Sequence, residues 1–134
     1  MPASPAPLVL VVDDYADTRE LYAESLRVQG FRVAEARTGE EAVARARELQ
    51  PDAVLMDLSL PGLDGWEATR RLKTDDATRH IPVVAVTGHD SPAAGAEARA
   101  AGCAAVVLKP ALPDAVIAAI RRALAPADGI RKNR

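Results

Sequence analysis

Short apolar segments alternate along the chain with stretches whose apolar residues recur at helical spacing. Most of these segments are almost wholly apolar, a pattern typical of strands buried on both faces of a sheet. With a more polar candidate in second place, the predicted strands are residues 8–12, 31–36, 53–56, 82–86 and 104–108. Helices are predicted to follow them, beginning near Ala16, Thr38, Trp66, Pro92 and Leu112.

This alternation of strand and helix predicts the fold class. Strands separated by helices form βαβ units, which have right-handed crossovers and build a parallel sheet. The sequence therefore predicts an α/β protein with a doubly wound, five-stranded parallel sheet. In sheets of this kind ligands bind outside the carboxyl ends of the strands. The ends of the apolar segments are thus the place to expect a functional site.

Length and composition limit the classes of function. A chain of 134 residues with 49% hydrophobic residues can bury one core, and its length calls for no second domain. The net charge of −2 and the pI near 5.7 argue against nucleic acid or an anionic membrane surface as a direct partner. Cys103 is the only cysteine, which excludes an intrachain disulfide and favours a reducing compartment.

The two ends of the chain differ in composition from its centre. Residues 1–7, MPASPAP, combine prolines with small residues and are predicted to form a disordered lead. They contain neither a basic start nor a long apolar segment, so neither a signal peptide nor membrane insertion is predicted. A cytoplasmic location is therefore expected. Residues 126–134 are predicted to form a polar tail.

Reactive or charged side chains stand where four of the five predicted strands end. These residues are Asp13 and Asp14, then Asp57, Thr87 and Lys109. Because the carboxyl ends of parallel strands meet at one edge of a sheet, the prediction gathers three carboxylates, a hydroxyl and an ammonium group there. No single strand would indicate such a set.

The chemistry of this set points to a metal and a phosphoryl group. Crowded carboxylates repel one another, and an oxygen-rich cluster favours a hard divalent cation such as Mg²⁺. With the cation bound, the ammonium of Lys109 and the hydroxyl of Thr87 can hold a further dianion. Asp57 can then act as a nucleophile toward phosphorus and form an acyl phosphate.

Each of these residues also has an ordinary structural interpretation. Asp57 could be an acid that is satisfied structurally where a buried strand emerges. Asp13 and Asp14 could cap the start of a helix. Lys109 could be a solvated lysine, and threonine at position 87 is common in strands. The functional interpretation depends on the whole set lying together.

Four motifs containing these residues stand in order along the chain. They are the Asp13-Asp14 pair, D-x-x-L-P-x-x-D-G from Asp57 to Gly65, Thr87-Gly88 and Lys109-Pro110. Together they resemble the receiver domain of two-component response regulators, over residues 8–125. The resemblance implies a flavodoxin-like (βα)5 receiver fold. Because no output segment follows Leu124, a stand-alone regulator with no output domain is expected.

The resemblance also implies a function in signalling. Asp57 would accept a phosphoryl group from a sensor histidine kinase or a histidine phosphotransfer protein in a phosphorelay. The domain would then change its contacts with a downstream protein. It would support its own phosphorylation and dephosphorylation without being a conventional turnover enzyme.

Site roles follow from the same resemblance. Asp14, Asp57 and the backbone carbonyl of Ser59 would bind Mg²⁺ directly, and Asp13 would bind it through water. Thr87 and Lys109 would contact the phosphoryl group.

The chain departs from the family pattern at two positions. The family usually has Tyr or Phe three residues before the lysine, where this chain has Val106, and Ala111 stands where Phe commonly follows Lys-Pro. The expected aromatic switch is therefore missing. Ser59 and His89 occupy positions that influence in the family how fast the phosphoryl group is lost.

Two other classes of function are weighed against a phosphoacceptor. A phosphatase or phosphotransferase with an Asp nucleophile, acting on small substrates, would need D-x-D in the haloacid dehalogenase type, whereas Leu58-Ser59 follows Asp57. A flavodoxin-like cofactor binder would need a hydroxyl-rich phosphate loop in place of Asp13-Asp14. The sequence favours the phosphoacceptor.

Overall fold

The structure, a computed structural model, describes residues 6–58, 65–88 and 92–125. The predictions for Ser59, His89, most of the lead at 1–7 and the tail at 126–134 fall outside these described residues. No helix of the described ranges has the length and apolar character that a membrane span requires.

The predicted elements all form within the described residues, and their ends differ from the predicted ends by one or two positions. The strands are β1 (Leu8–Val12), β2 (Arg32–Ala36), β3 (Ala53–Asp57), β4 (Val83–Thr87) and β5 (Ala105–Leu108). The helices are α1 (Ala16–Val28), α2 (Gly39–Leu49), α3 (Gly65–Thr74), α4 (Pro92–Ala100) and α5 (Pro113–Leu124).

The strands form one parallel sheet in the order β2-β1-β3-β4-β5. The predicted fold class, a doubly wound α/β sheet, is confirmed. The strand order reverses between β1 and β3, because the chain first adds β2 on one side and then builds β3, β4 and β5 on the other. A crevice at the carboxyl ends of β1 and β3 is the binding place in such sheets.

Alternate residues of the central strands enter two separate cores, one on each face of the sheet. Leu10, Val54 and Val83 point to the face covered by α2, α3 and α4. Val9 and Leu55, which are sequence neighbours of Leu10 and Val54, belong to the opposite core with residues of α1 and α5. This two-sided burial explains why the strands are apolar without alternation.

The structure buries only part of the face predicted for α1 from the helical spacing of Leu21, Tyr22, Ser25, Leu26 and Val28. Leu21 and Val28 lie near helical spacing with the core residues but are 51% and 71% exposed. The buried face consists of Arg19, Tyr22, Ala23 and Leu26. Tyr22 and Leu26 are therefore buried as predicted, whereas the buried Arg19 is a polar residue that the apolar spacing does not include.

Local signals set the starts and ends of other helices. The side chain of Thr38 accepts a hydrogen bond from the backbone N–H of Glu41 at 3.0 Å, as expected for the N-cap of α2. Gly30 and Gly102 follow α1 and α4 with φ of 95° and 108°, a conformation that favours glycine.

The two described residues that precede β1 are also hydrogen-bonded to the sheet. The carbonyl oxygen of Pro7 accepts a hydrogen bond from the Arg32 N–H at 2.9 Å, and that of Ala6 accepts one from Arg32 Nε at 2.8 Å. The hydrogen bonding of the β1–β2 edge therefore reaches two residues into the segment predicted to be a disordered lead.

Gly65, the first residue of α3, lies directly against the end of β3. A Cβ at this position would press against the carbonyl oxygen of Asp57 and lie 2.6 Å from the Cα of Leu58. Both are backbone atoms of a buried strand end, so neither can move aside as a flexible side chain would. The residue that starts α3 therefore controls the backbone that carries Asp57.

We expect Gly65→Ala to lower the free energy of unfolding by about 1–3 kcal/mol, the usual cost of overpacking a buried position. Urea unfolding would measure the loss. Gly88→Ala is the matched control, because no described residue lies within 4 Å of a Cβ added there. Equal stabilities of the two variants would contradict the close packing of α3 against β3.

Candidate functional site

The backbone brings the predicted site residues to one edge of the sheet. Asp13 directly follows β1, Asp57 and Thr87 end β3 and β4, and Lys109 directly follows β5. Hydrogen bonds extend the ladder across this edge, from the N–H of Asp13 to Ala36 O at 3.1 Å and from that of Lys109 to Thr87 O at 2.8 Å. The side chains are thus held by the register of the sheet.

Three carboxylates form a cluster at this edge. Ligand oxygens of Asp13, Asp14 and Asp57 all lie within 4.8 Å of one another. Asp13 and Asp57 are 4% and 5% exposed, whereas Asp14 is exposed. The cluster therefore has two acids fixed in the protein and one that faces solvent, at the mouth of a cavity.

Asp13 and Asp14 do not cap the helix that follows them. Tyr15 is the N-cap residue of α1, and the cap makes no side-chain hydrogen bond. Asp13 Oδ1 instead accepts a hydrogen bond from the N–H of Tyr15 at 2.9 Å, two residues along the chain. This local bond fixes the orientation of the Asp13 carboxylate next to Asp57, so the capping interpretation is wrong.

Lys109 provides a cation beside the cluster. Its Nζ donates a hydrogen bond to Asp57 Oδ1 at 3.3 Å, and its side chain is 36% exposed. The Lys109-Pro110 peptide bond is cis. The cavity in front of Asp57 is lined by both residues, together with Asp14, Tyr15 and Thr18.

Thr87 reaches the same edge but is fully buried. Its partner in the β4–β5 register is Leu108, and Asp57 pairs with Val86 rather than with Thr87. The sheet therefore places Thr87 one position beyond Asp57 along the neighbouring strand. The contact of its hydroxyl with a phosphoryl group stays a prediction.

The acids strongly affect one another. The pKa of Asp13 is raised to about 6, mainly by burial and also by the carboxylates of Asp57 and Asp14, while the Tyr15 N–H and Lys109 oppose the rise. Charging the cluster is therefore costly without a cation. Burial, with the added effect of Asp13 and Asp57, also raises the pKa of Tyr22.

This arrangement fits a hard divalent cation. The cluster offers carboxylate oxygens and no histidine or cysteine, and its like charges repel in a partly buried site. Mg²⁺ takes one or two carboxylates and keeps several waters, and an exposed acid at a cavity mouth leaves room for them. Asp13, Asp14 and Asp57 are thus able to bind a metal ion.

Two supporting residues on α1 were missed by the sequence analysis. Arg19 is buried and donates hydrogen bonds from Nη1 to the carbonyl oxygen of Asp13 at 3.0 Å and from Nε to Glu35 Oε1 at 2.9 Å. Tyr22 is 5% exposed and lines the cavity. Their i, i+3 spacing on the face that includes Leu26 was the available signal, although Tyr22 fitted the apolar pattern and the charged Arg19 did not.

Comparison with known proteins identifies the family. The response regulator receiver domain family matches residues 9–121. The chain belongs to this family. Receiver domains of this family act in two-component signalling, and accepting a phosphoryl group is their general role. They are signalling domains and not conventional enzymes. The resemblance inferred from the four motifs is thus confirmed.

Individual relatives agree with this assignment. The polar-differentiation response regulator DivK of Brucella anthropi is 39% identical over 102 residues, which cover 76% of this chain and 83% of that protein. The chemotaxis response regulator CheY4 of Vibrio cholerae has a TM-score of 0.84 at 27% identity, covering 89% of this chain and 99% of that one. A putative response regulator from Chloroflexus aurantiacus has a TM-score of 0.85 at 29% identity, covering 90% and 99%.

The pKa of Asp13 predicts how stability depends on pH in the metal-free receiver domain. The folded state binds this proton more tightly than the unfolded chain, whose Asp pKa is near 3.8. The stability that the folded state gains from the proton on Asp13 is therefore complete below about pH 4. It is lost as the pH rises through about 6. In EDTA, Asp13→Asn should be about 1–3 kcal/mol more stable than the natural protein above pH 7, because the amide oxygen can still accept from Tyr15.

Urea unfolding at several pH values would measure this difference, which should shrink toward zero near pH 4. Asp17→Asn is the control, since Asp17 is an exposed acid in the first turn of α1. A stability difference for Asp13→Asn that stayed constant from pH 4 to pH 8 would contradict the electrostatic explanation.

Proposed function

We propose that this receiver domain is a phosphoacceptor in a two-component phosphorelay and that Asp57 accepts the phosphoryl group. The observation that carries the proposal is the placement of Asp57, a buried carboxylate at the switch point of the sheet. It has Lys109 Nζ at 3.3 Å and the two other acids within 4.8 Å. Burial combined with like charges and a specific charge partner in a cleft is typical of functional sites.

The proposed reaction needs no separate general base, because a carboxylate attacks phosphorus without giving up a proton. An oxygen of Asp57 attacks phosphorus, and the bond between phosphorus and the donor breaks, so that the leaving group keeps the electron pair. The product is an acyl phosphate on Asp57. Lys109 stabilises the negative charge on the phosphoryl oxygens, and the buried Thr87 hydroxyl provides a further donor at the same edge.

Mg²⁺ is the proposed cofactor. Asp14, Asp57 and the backbone carbonyl of Ser59 would bind it directly, and Asp13 would bind it through water. Bound there, the cation supplies positive charge that offsets the acids and stabilises the transferring phosphoryl oxygens. The chain's own acids hold it beside the nucleophile.

The proposed donors are a sensor histidine kinase or a histidine phosphotransfer protein, in the cytoplasm. A downstream protein would then recognise the phosphorylated domain. We propose neither direct binding to nucleic acid nor insertion into a membrane.

Val106, at the usual aromatic position, is partly buried against the core under α2, α3 and α4. The readout of phosphorylation is therefore proposed to use repacking of an aliphatic side chain.

The direct test is incubation with Mg²⁺ and acetyl phosphate, followed by intact-protein mass spectrometry. We expect a mass increase of one phosphoryl group in the natural protein and none in Asp57→Asn. Asp76→Asn is the control, because Asp76 is an exposed acid that pairs with Arg79 and is not one of the site acids. It should be labelled normally. Labelling of Asp57→Asn to the natural extent would refute the assignment.

Metal binding is tested separately. Mg²⁺ should raise the thermal midpoint, because it binds the folded state and relieves repulsion among the acids. Asp14→Asn should weaken Mg²⁺ binding by roughly tenfold or more, since second-shell changes alone cost 10–100-fold at metal sites. Asp17→Asn is the control and should bind normally. A midpoint unaffected by saturating Mg²⁺ would exclude the metal site without excluding the fold.

A further inference from the structure

Tyr22 makes a long-range hydrogen bond that no family motif accounts for. Its hydroxyl, on α1, donates to the carbonyl oxygen of Ala111 at 2.7 Å, across 89 positions of the chain. The ring is 5% exposed, packs in the core under α1 and α5 and lines the cavity in front of Asp57. A single hydroxyl therefore joins α1 to the segment between β5 and α5.

That segment carries Lys109. On one side, the N–H of Lys109 donates to Thr87 O at 2.8 Å and continues the sheet. On the other side, Ala111 is held by Tyr22, just before Leu112 caps α5. Lys109 thus lies between two backbone attachments, only one of which belongs to the sheet.

The lysine needs such support. Its side chain is 36% exposed, and its contact with Asp57 at 3.3 Å is long for a charged hydrogen bond. A partly exposed ion pair holds its own geometry weakly, so the backbone must place the ammonium group. Ala111 contributes no large side chain of its own to pack the segment.

The hydroxyl is suited to this task. Burial and the nearby carboxylates of Asp13 and Asp57 raise the pKa of Tyr22, so the phenol stays protonated and remains a donor. A carbonyl oxygen can only accept, and the bond from Tyr22 to Ala111 matches these requirements.

We propose that Tyr22 is a positioning residue for phosphoryl transfer: its hydroxyl fixes the Lys109-Pro110-Ala111 backbone so that the lysine ammonium stays beside Asp57. This inference rests on the proposed function of Asp57. Tyr22 touches neither the phosphoryl group nor the metal in this role and acts only through Lys109.

The first test is a double-mutant cycle of phosphorylation rates with acetyl phosphate at saturating Mg²⁺. Tyr22→Phe keeps the ring and removes the hydroxyl, and we expect labelling roughly tenfold slower, within the range that small misplacements of a site group produce. In the Lys109→Ala background, adding Tyr22→Phe should change the rate by less than about twofold. An undiminished effect in that background would overturn the proposal.

Mg²⁺ affinity separates positioning from general damage to the site. The acids are carried by the ends of β1 and β3 and not by the segment that Tyr22 holds, so the dissociation constant should change by less than about twofold in Tyr22→Phe. Thr78→Val is the matched control, because the hydroxyl of the buried Thr78 donates to the carbonyl oxygen of Leu72 at the same distance of 2.7 Å. It should be destabilised to a similar degree but be phosphorylated at the natural rate. Equal slowing of both variants would reduce Tyr22 to a structural role.

A second measurement does not depend on phosphorylation. Acetylation of Lys109 by an amine-reactive reagent, followed by peptide mass spectrometry, should be roughly two- to fivefold faster in Tyr22→Phe, the range allowed by a weak ion pair. Lys73 is the internal reference, because its ammonium donates to the backbone carbonyl oxygens of Arg79 and Ile81. If Asp57 of the natural protein is not phosphorylated but Lys109 is still acetylated faster in Tyr22→Phe, the positioning role is supported and the proposed function is rejected. Unchanged labelling of Lys109 would reject the positioning role itself.

Discussion

Repulsion among carboxylates held at one edge of a parallel sheet is the constraint on which the rest of this structure depends. Asp13 and Asp57 are almost fully buried, yet their oxygens and one of Asp14 lie within 4.8 Å. Burial and like charge raise the pKa of Asp13 to about 6. The fold therefore holds like charges together at a cost in free energy that a bound cation would reduce.

The surrounding elements hold this edge rigidly through backbone contacts. Arg19 donates to the carbonyl oxygen of Asp13, Gly65 allows α3 to begin against the Asp57 backbone, and Tyr22 holds the carbonyl of Ala111. These three attachments act on the main chain on either side of the reactive groups. Side-chain positions then follow from the backbone, which matters because exposed ion pairs such as that of Lys109 fix geometry weakly.

Much of the site could be predicted because parallel strands end together. Once Asp57 and Lys109 were placed at strand ends, the topology left them at one edge, and the structure brings them to 3.3 Å. The prediction failed on α1, where Leu21 and Val28 are exposed and Arg19 is buried. Periodicity identifies the buried face by hydrophobicity, so a buried arginine satisfied by Glu35 and a carbonyl oxygen is invisible to it.

The sequence by itself determined the alternation of strand and helix, the two-sided burial of the sheet and the identity of the acids and lysine, because these depend on local pattern and residue type. Only the tertiary structure decided the pKa of Asp13 and the bond from Tyr22 to Ala111 across 89 positions. Desolvation and charge coupling depend on distances between separate elements. No local pattern in the chain encodes those distances, since they arise when the strands assemble into the sheet and α1 packs beside the β5–α5 segment.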